Sequence, residues 1–253
     1  MIFVVLPCYN EAPNLLKLIP KIDDALKGQD YQIIAVNDGS SDRTGEVLLQ
    51  LSEEYPIRIL THQRNMGGLQ AALKTGGLSE AVRLGKEGDV VITMDSDDTH
   101  DPIHISQMLE KIEDGADIVI ASRYVKGGKQ VNVPVHRVFL SWGGINKVLG
   151  LFSGVPAKDL TSGYRAYKWE CLRRTFDALG ERLVTSQGFE ISVELLVKVF
   201  YFGNCSRIEE VPLYLDYGRK EGGSKMNLRK TIMGYLKLIP EIRKWKTGKG
   251  DLQ

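Results

Sequence analysis

The feature that most constrains this chain is a regular alternation, through its first half, of short β-branched apolar runs with longer amphipathic stretches. Strand patterns fall at residues 2–6, 31–37, 57–61, 89–94 and 117–121, and helical periodicity covers 11–27, 42–54, 69–84 and 102–113. Such repetition predicts an α/β fold in which a mostly parallel, Rossmann-like sheet carries helices on both faces. Residues 33–36 and 90–94 are continuously apolar, as strands buried on both faces are. The second half is less regular. A Gly/Lys-rich loop is expected at 126–134, a helix at 135–151, a strand or turn at 159–167, a helix near 187–202 and a strand at 206–215. A basic Gly-rich loop at 218–225 then leads to an amphipathic helix from about 227 to 246. One body (1–226) with a basic amphipathic tail (227–253) is the expected organisation, and 253 residues suffice for a substantial core.

Composition narrows the classes. Apolar residues make up 43% and charged residues 26%, with 33 Lys and Arg against 32 Asp and Glu. These values argue against disorder and against a uniformly basic nucleic-acid-binding coat. The charge is unevenly placed: residues 219–249 hold ten Lys and Arg against Glu221 and Glu241, which leaves the remainder acidic. Three widely separated cysteines, Cys8, Cys171 and Cys205, suggest no disulfide framework, so free thiols in a reducing compartment are expected. The first apolar run has no basic segment before it and ends at Pro7, so it reads as a strand rather than a signal peptide. No run approaches the roughly 18 apolar residues of a membrane span.

In open parallel sheets ligands bind outside the carboxyl ends of the strands. Here those ends are polar. The first strand runs into Pro7-Cys8-Tyr9-Asn10-Glu11, the second into Asn37-Asp38-Gly39-Ser40-Ser41-Asp42, and the fourth into Asp95-Ser96-Asp97-Asp98. Two carboxylates one residue apart after an apolar strand suit Mg²⁺ or Mn²⁺, which takes few protein carboxylates and completes its shell with phosphate and water. Asp38 is placed to accept hydrogen bonds from a base or ribose, while Ser41 or Asp42 serves as a helix cap.

Taken in order, Pro7-x-Tyr9-Asn10-Glu11, the 37–42 run, Arg64-Asn65-x-Gly67 and Asp95-x-Asp97 resemble the family 2 glycosyltransferases of GT-A fold. The segments Ala121-Ser122-Arg123-Tyr124, Asp159-Leu160-Thr161-Ser162-Gly163-Tyr164-Arg165 and Arg219-x-x-Gly222-x-Ser224-Lys225 are similar to the dolichyl-phosphate mannosyltransferase branch. The resemblance implies nucleotide binding by Pro7, Tyr9, Glu11, Val36 and Asp38, with Asp95, Ser96 and Asp97 at the donor phosphates. It further implies metal coordination by Asp95 and Asp97, and a basic loop carrying Arg219 and Lys225 over the diphosphate. This chain departs from the branch after the Asp-x-Asp pair, where it has Asp98-Thr99-His100-Asp101-Pro102.

The acceptor decides whether a base is needed. A phosphate monoester is already largely dianionic at neutral pH and needs only orientation, whereas a hydroxyl must lose a proton. The resemblance places Arg123, Arg137 and Ser141 at an acceptor phosphate, and guanidinium forks suit that group. The expectation is therefore an inverting hexosyltransferase moving mannose from GDP-mannose to a polyprenyl or dolichyl phosphate, with Asp97, Arg123, Arg137 and Ser141 as its catalytic set. Two alternatives are a UDP-sugar-dependent transferase acting on polyprenyl phosphate or a sugar hydroxyl, and a nucleotide-sugar-binding subunit that depends on a membrane partner. Glu190 and Glu194 share a helical face where a base could sit, and their structural reading is capping or pairing with Arg165 or Arg173. Leu228, Ile232, Leu236 and Ile239 recur at helical spacing in the tail, Pro240 is expected to bend or break the helix, and Ile242 and Trp245 lie among lysines and arginines. This pattern fits an interfacial anchor as well as a helix packed on the body, and points to a cytoplasmic, peripherally membrane-associated protein with a membrane surface or integral membrane subunit as partner.

Overall fold

The computed structural model describes residues 1–66, 72–133, 144–186, 188–219 and 228–247. Its centre is a seven-stranded sheet built from β1 (Ile2–Cys8), β2 (Tyr31–Asn37), β3 (Ile57–Thr61), β4 (Val90–Thr93), β5 (Ile118–Ser122), β7 (Arg165–Lys168) and β8 (Ile208–Pro212). The spatial order is β3-β2-β1-β4-β7-β5-β8. All pairings are parallel except those of β7, which runs antiparallel between β4 and β5. Two further short strands, β6 (Lys129–Val131) and β9 (Tyr214–Asp216), pair with each other in parallel. The 126–134 segment, expected as a loop throughout, thus contains a strand.

Alternation along the strands divides the core in two. Phe3, Val5, Ile34, Val36, Val91 and Ile120 face one side, where they meet α3 (Leu78–Leu84), α6 (Trp169–Leu179), α7 (Ile191–Phe202) and α8 (Leu228–Lys246). Val4, Leu6, Ile33, Ala35, Ile92 and Val119 face the other, against α1 (Ala12–Ala25), α2 (Thr44–Leu51) and α4 (Ile105–Glu113). Period-two alternation of large apolar side chains forces helices onto both faces. A π-helical turn over Ala72–Gly77 leads into α3. Gly76 in that turn lies against Val36, where an added Cβ would sit 2.9 Å from both methyls.

Three expectations need correction. No helix was expected at 169–179, yet α6 is there. Glu170, Arg173, Arg174 and Asp177 interrupt an apolar stripe of Cys171, Leu172, Thr175 and Leu179, and so hide its period. The missed helix also hid a disulfide: Cys171 near its start is joined to Cys205 just after α7, with the Cα atoms 6.0 Å apart. Only Cys8 is free, and burial pushes its thiol up to about 12. The tail differs as well. Pro240 lies inside an unbroken α8, and the buried stripe is Thr231, Tyr235, Leu238, Ile242 and Trp245 rather than the expected one, Leu236 being exposed. Ile242 and Trp245, expected among interfacial groups, belong to the core. A fully buried ion pair helps to dock this helix, since Lys198 donates to Glu194 at 2.6 Å and sits 4.6 Å from the centre of the Trp245 ring.

The disulfide closes a span of 34 residues, for which chain entropy gives a contribution of about 3–4 kcal/mol. Reduction with a phosphine, or the Cys171→Ser/Cys205→Ser pair, should lower the unfolding free energy in urea by about that amount. An unchanged denaturation midpoint would show that the bridge contributes nothing.

Candidate active site

The strand order reverses between β1 and β4. From β1 the chain builds outward to β2 and β3, and then crosses to β4 on the opposite side. At such a switch point the loops after adjacent strands diverge and leave a crevice at their carboxyl ends. The segments 7–11, 38–42 and 95–98 follow β1, β2 and β4, which are mutually parallel, and so share that edge. Arg123 follows β5 and Arg165 opens β7 on the same edge. A cleft there is lined by Pro7, Thr93, Asp95, Gly163, Arg165 and Ser192.

Each turn is fastened by its own polar side chains. Asn10 sits in the left-handed region at φ 55°, and its side-chain oxygen accepts from the Ser41 amide at 2.8 Å. The Asn10 amide in return donates to Ser40 Oγ. Glu11 is buried at the start of α1, donating its amide to Thr44 Oγ1 and accepting from Asn14 Nδ2 at 2.6 Å. Gly39 has φ 64°, and any Cβ there would collide with the backbone of Arg64 and Asn65. Asp38 is 1% exposed. Its Oδ1 lies 2.6 Å from His62 Nδ1 and accepts the Met66 amide at 3.0 Å, so the end of β2 is tied to the segment after β3. Val36, expected at the nucleotide, is fully buried in β2 between β1 and β3 and presents no surface at the crevice.

The Asp95–Asp98 turn is held still more tightly. Ser96 Oγ donates to the Pro7 carbonyl at 2.7 Å, bridging the switch point itself. Asp97 is buried, and its Oδ1 accepts both the Thr99 hydroxyl, at 2.6 Å, and the Thr99 amide. Asp95 is 47% exposed; its amide donates to His100 Nδ1, and that ring stacks on Tyr164 with centroids 5.1 Å apart. Asp98 adopts φ 60° and takes both carboxylate oxygens to Lys21 of α1, each at 2.7 Å. Lys21 thereby neutralises the carboxylate by which this chain departs from the resembling branch. Among the described residues no group of three or more His, Cys, Asp or Glu is arranged to hold a metal. Two carboxylates beside a crevice fit Mg²⁺ or Mn²⁺, whose remaining positions go to phosphate and water.

Beyond β7 on the same edge of the sheet, Arg123 forms a bidentate pair with Asp159, from Nε at 2.8 Å and Nη2 at 2.7 Å, and donates to Thr161 Oγ1. Asp159 is fully buried. Burial pushes its carboxyl upward, but the Arg123 guanidinium and its hydrogen bonds outweigh that and hold the pKa below the ordinary value. Burial also opposes the charge on Arg123, and attraction to Asp159 again prevails and raises it. Among the described residues the Arg123 bonds to Asp159 and Thr161 use Nε and Nη2, not Nη1. Arg165, 1% exposed, donates to the carbonyls of Leu160 and Ser192 and so secures the Asp159 loop to the start of α7. Glu194 accepts the Thr185 and Ser186 amides and pairs with Lys198, which makes it a structural residue. Burial raises its pKa and the Lys198 charge more than offsets this.

The structure therefore brings Pro7, Tyr9, Glu11, Asp38, Asp95, Ser96, Asp97 and Arg123 to one edge of the sheet. The expected Arg137, Ser141 and Lys225 lie outside the described residues, and Arg219 is placed by its backbone at the end of a 3₁₀ turn, Tyr217–Arg219. Sequence reasoning did not assign Lys21, His62, Thr99 or Asp159. Asp159, Thr99 and His62 carried a local signal, lying within or beside a motif; Lys21 reaches the site by folding alone.

The family model described as Glycosyl transferase family 2 matches residues 3–176. A dolichol-phosphate mannosyltransferase of Pyrococcus furiosus is 37% identical over 245 residues, covering 96% of this chain and 63% of that protein. The chain thus spans less than two thirds of that relative. An undecaprenyl-phosphate mannosyltransferase of Micrococcus luteus is 33% identical, covering 89% of this chain and 87% of that one. Among solved structures, glucosyl-3-phosphoglycerate synthase of Mycobacterium tuberculosis, in complex with Mn²⁺, UDP and glucosyl-3-phosphoglycerate, superposes with a TM-score of 0.64 at 17% identity. That match covers 100% of this chain and 81% of the synthase, and it bears on the fold.

The Arg123–Asp159 pair yields a prediction. Asp159→Ala leaves a nearly buried guanidinium uncompensated and should cost about 3–5 kcal/mol in urea unfolding. Because the folded pKa of Asp159 is depressed, its contribution is fully present above the unfolded value of about 3.9 and is lost as pH falls through the folded value. Wild type should lose this stability only below about pH 4, and the variant should lack that component. A wild-type loss that begins near neutral pH would contradict the assignment.

Proposed function

Since the chain belongs to glycosyl transferase family 2 and is related to the polyprenyl- and dolichyl-phosphate mannosyltransferases, we propose that it transfers mannose, with inversion, from GDP-mannose to a polyprenyl or dolichyl phosphate. The observation that carries this reading is the pairing of opposite chemistries on one edge of the sheet, a two-carboxylate turn fastened by Thr99 and Lys21 after β4 and Arg123 with its partner Asp159 after β5.

The segments after β1 and β2 hold the nucleoside, with Asp38 facing base or ribose. Asp95 and Asp97 hold Mg²⁺ or Mn²⁺, which when bound neutralises charge on the donor diphosphate. Arg219 and Lys225 add fixed positive charge at the leaving group, the preorganised electrostatics on which such a transfer depends. Arg123, Arg137 and Ser141 orient the acceptor phosphate. Its oxygen attacks the anomeric carbon, the bond to the nucleoside diphosphate breaks, and no proton has to be removed. The burial of Glu194 in a structural ion pair agrees with an acceptor that needs no base.

Purified protein with Mn²⁺ or Mg²⁺, a panel of labelled GDP- and UDP-sugars and a short-chain polyprenyl phosphate should give a lipid-linked mannose from the GDP donor. Asp97→Ala should reduce turnover by at least about a hundredfold, the scale on which loss of fixed transition-state charge is felt, while the melting temperature falls by only a few degrees for the lost Thr99 hydrogen bonds. Product from UDP-sugars alone would overturn the donor assignment, and full activity of the variant would overturn the metal assignment.

The acceptor implies work at a bilayer. No helix among the described residues is long and apolar enough to cross one. On α5 (Asn146–Ser153) Val148 and Leu151 are exposed, and on the neighbouring α8 Met233 and Leu236 are exposed among Lys237, Arg243 and Lys244. Arg243 of α8 stacks over Phe152 of α5, so the two helices share a surface. An apolar strip flanked by cations suits the interface of an anionic leaflet. Flotation should show binding to vesicles containing anionic lipid, weakened by salt and lost in Leu151→Glu/Leu236→Glu. Binding that survives both charges would exclude this face.

A further inference from the structure

The two short strands outside the main sheet are not used by the reading above, and their position raises a question. Strand β6 ends at Val131, three residues before the segment that carries Arg137 and Ser141. Strand β9 ends at Asp216, three residues before Arg219 and the basic loop. They pair in parallel, Lys129 with Tyr214, Gln130 with Leu215 and Val131 with Asp216. The pair also hangs from the end of β5 beside Arg123: the Leu213 amide donates to the Ser122 carbonyl at 2.8 Å, and the Lys129 amide to the Leu213 carbonyl at 2.9 Å. In sequence, the segments expected to carry Arg137 with Ser141 and Arg219 with Lys225 both lead out of this one small ladder, which lies beside Arg123.

A two-stranded ladder three residues long is marginal by itself. Its free end is closed by side chains. Asp216 Oδ1 accepts from Asn132 Nδ2 at 2.6 Å and from the Gly218 amide at 2.8 Å. Asn132 turns the chain away through the left-handed region at φ 58°, which Asn and Asp tolerate better than most residues. The node is tight: a Cβ on Gly218 would lie 2.9 Å from Asn132 Nδ2. One carboxylate oxygen thus fixes the exit of the acceptor-side segment against the entry of the donor-side loop.

We propose that Asp216 is a positioning residue that sets the register of residues 129–132 against 214–218 beside Arg123, so that the two anions of the transfer reach bonding distance in a fixed relative placement. The inference rests on the proposed transfer between a nucleotide sugar and a phosphate. Its chemical reason is that donor and acceptor repel, so their counter-cations must hold a common geometry, and a misplacement of about 1 Å costs on the order of a hundredfold in rate. Asp216 touches neither substrate and acts through Asn132 and Gly218.

Hydrogen exchange on the full chain tests this directly, with Mn²⁺ and GDP in one arm and Mn²⁺ and UDP in another. In wild type, nucleotide should slow exchange at residues 7–11 and 37–42, at 214–219, and also at 129–132 across the ladder. In Asp216→Ala the protection at 7–11 and 37–42 should remain and that at 129–132 should vanish, with the melting temperature within about 2 °C of wild type, as for a surface change. The same variant should lose about tenfold in kcat toward a short-chain polyprenyl phosphate, with little change in KM for the nucleotide sugar. Asp216→Asn, whose side-chain oxygen can still accept from Asn132 Nδ2 and the Gly218 amide, should retain kcat and protection. Wild-type behaviour of Asp216→Ala, or protection confined to 214–219 in wild type, would overturn the inference. A general loss of stability would reduce Asp216 to a structural residue and overturn it equally. Absence of protection at 7–11 and 37–42 with either nucleotide would instead defeat the donor reading, and this inference with it.

Discussion

The parallel pairing of β1 with β4, from Ile2 opposite Val90 to Val5 opposite Thr93, is the contact on which the remainder of the molecule is arranged. Because β1 already pairs with β2 on its other edge, the chain must cross over to place β4, and the loops after β1 and β4 separate as they leave the sheet. The crevice follows from connectivity rather than from any single side chain. Ser96 spans it by donating to the Pro7 carbonyl, so the two walls are held at a fixed spacing. What lines the crevice is then decided by the few residues that follow each strand.

Those residues carry several charges, and most are met by a hydrogen-bonding or oppositely charged partner. Lys21 of α1 meets Asp98, Thr99 steadies Asp97, and Asp159 meets Arg123. Compensation of this kind costs desolvation and adds little net stability, but it fixes where the remaining charge points. The same logic operates at the far end of the molecule, where Glu194 and Lys198 join the 185–186 turn to Trp245 of the last helix. The basic tail is consequently part of the core on one face and presents its cations on the other.

Much of this was legible in the sequence because the governing signals were local. Period-two apolar runs and their polar ends located the strands, the switch-point loops and the paired carboxylates at 95 and 97 without reference to contacts. What could not be read depended on tertiary partners. The helix at 169–179 was hidden by four charged residues, and with it the Cys171–Cys205 bridge, since neither cysteine carries a spacing that announces its partner. The tail helix was recognised, but its buried face was assigned to the wrong residues. Leu236 fits a helical stripe as well as Tyr235 does, and only packing on α5 and α7 selects between them. Arg123 could be located after the fifth strand from its motif, whereas its commitment to Asp159, thirty-six residues away, required the fold.

The central claim is that a nucleoside diphosphate and a divalent cation share the crevice between β1 and β4. A crystal grown with Mn²⁺ and GDP, with diffraction data collected at the manganese edge, tests it most directly. The account predicts one anomalous peak between the Asp95–Asp97 carboxylates and the diphosphate, with the nucleoside reaching toward Asp38. Nucleotide bound elsewhere, or a peak without contact to Asp97, would contradict it.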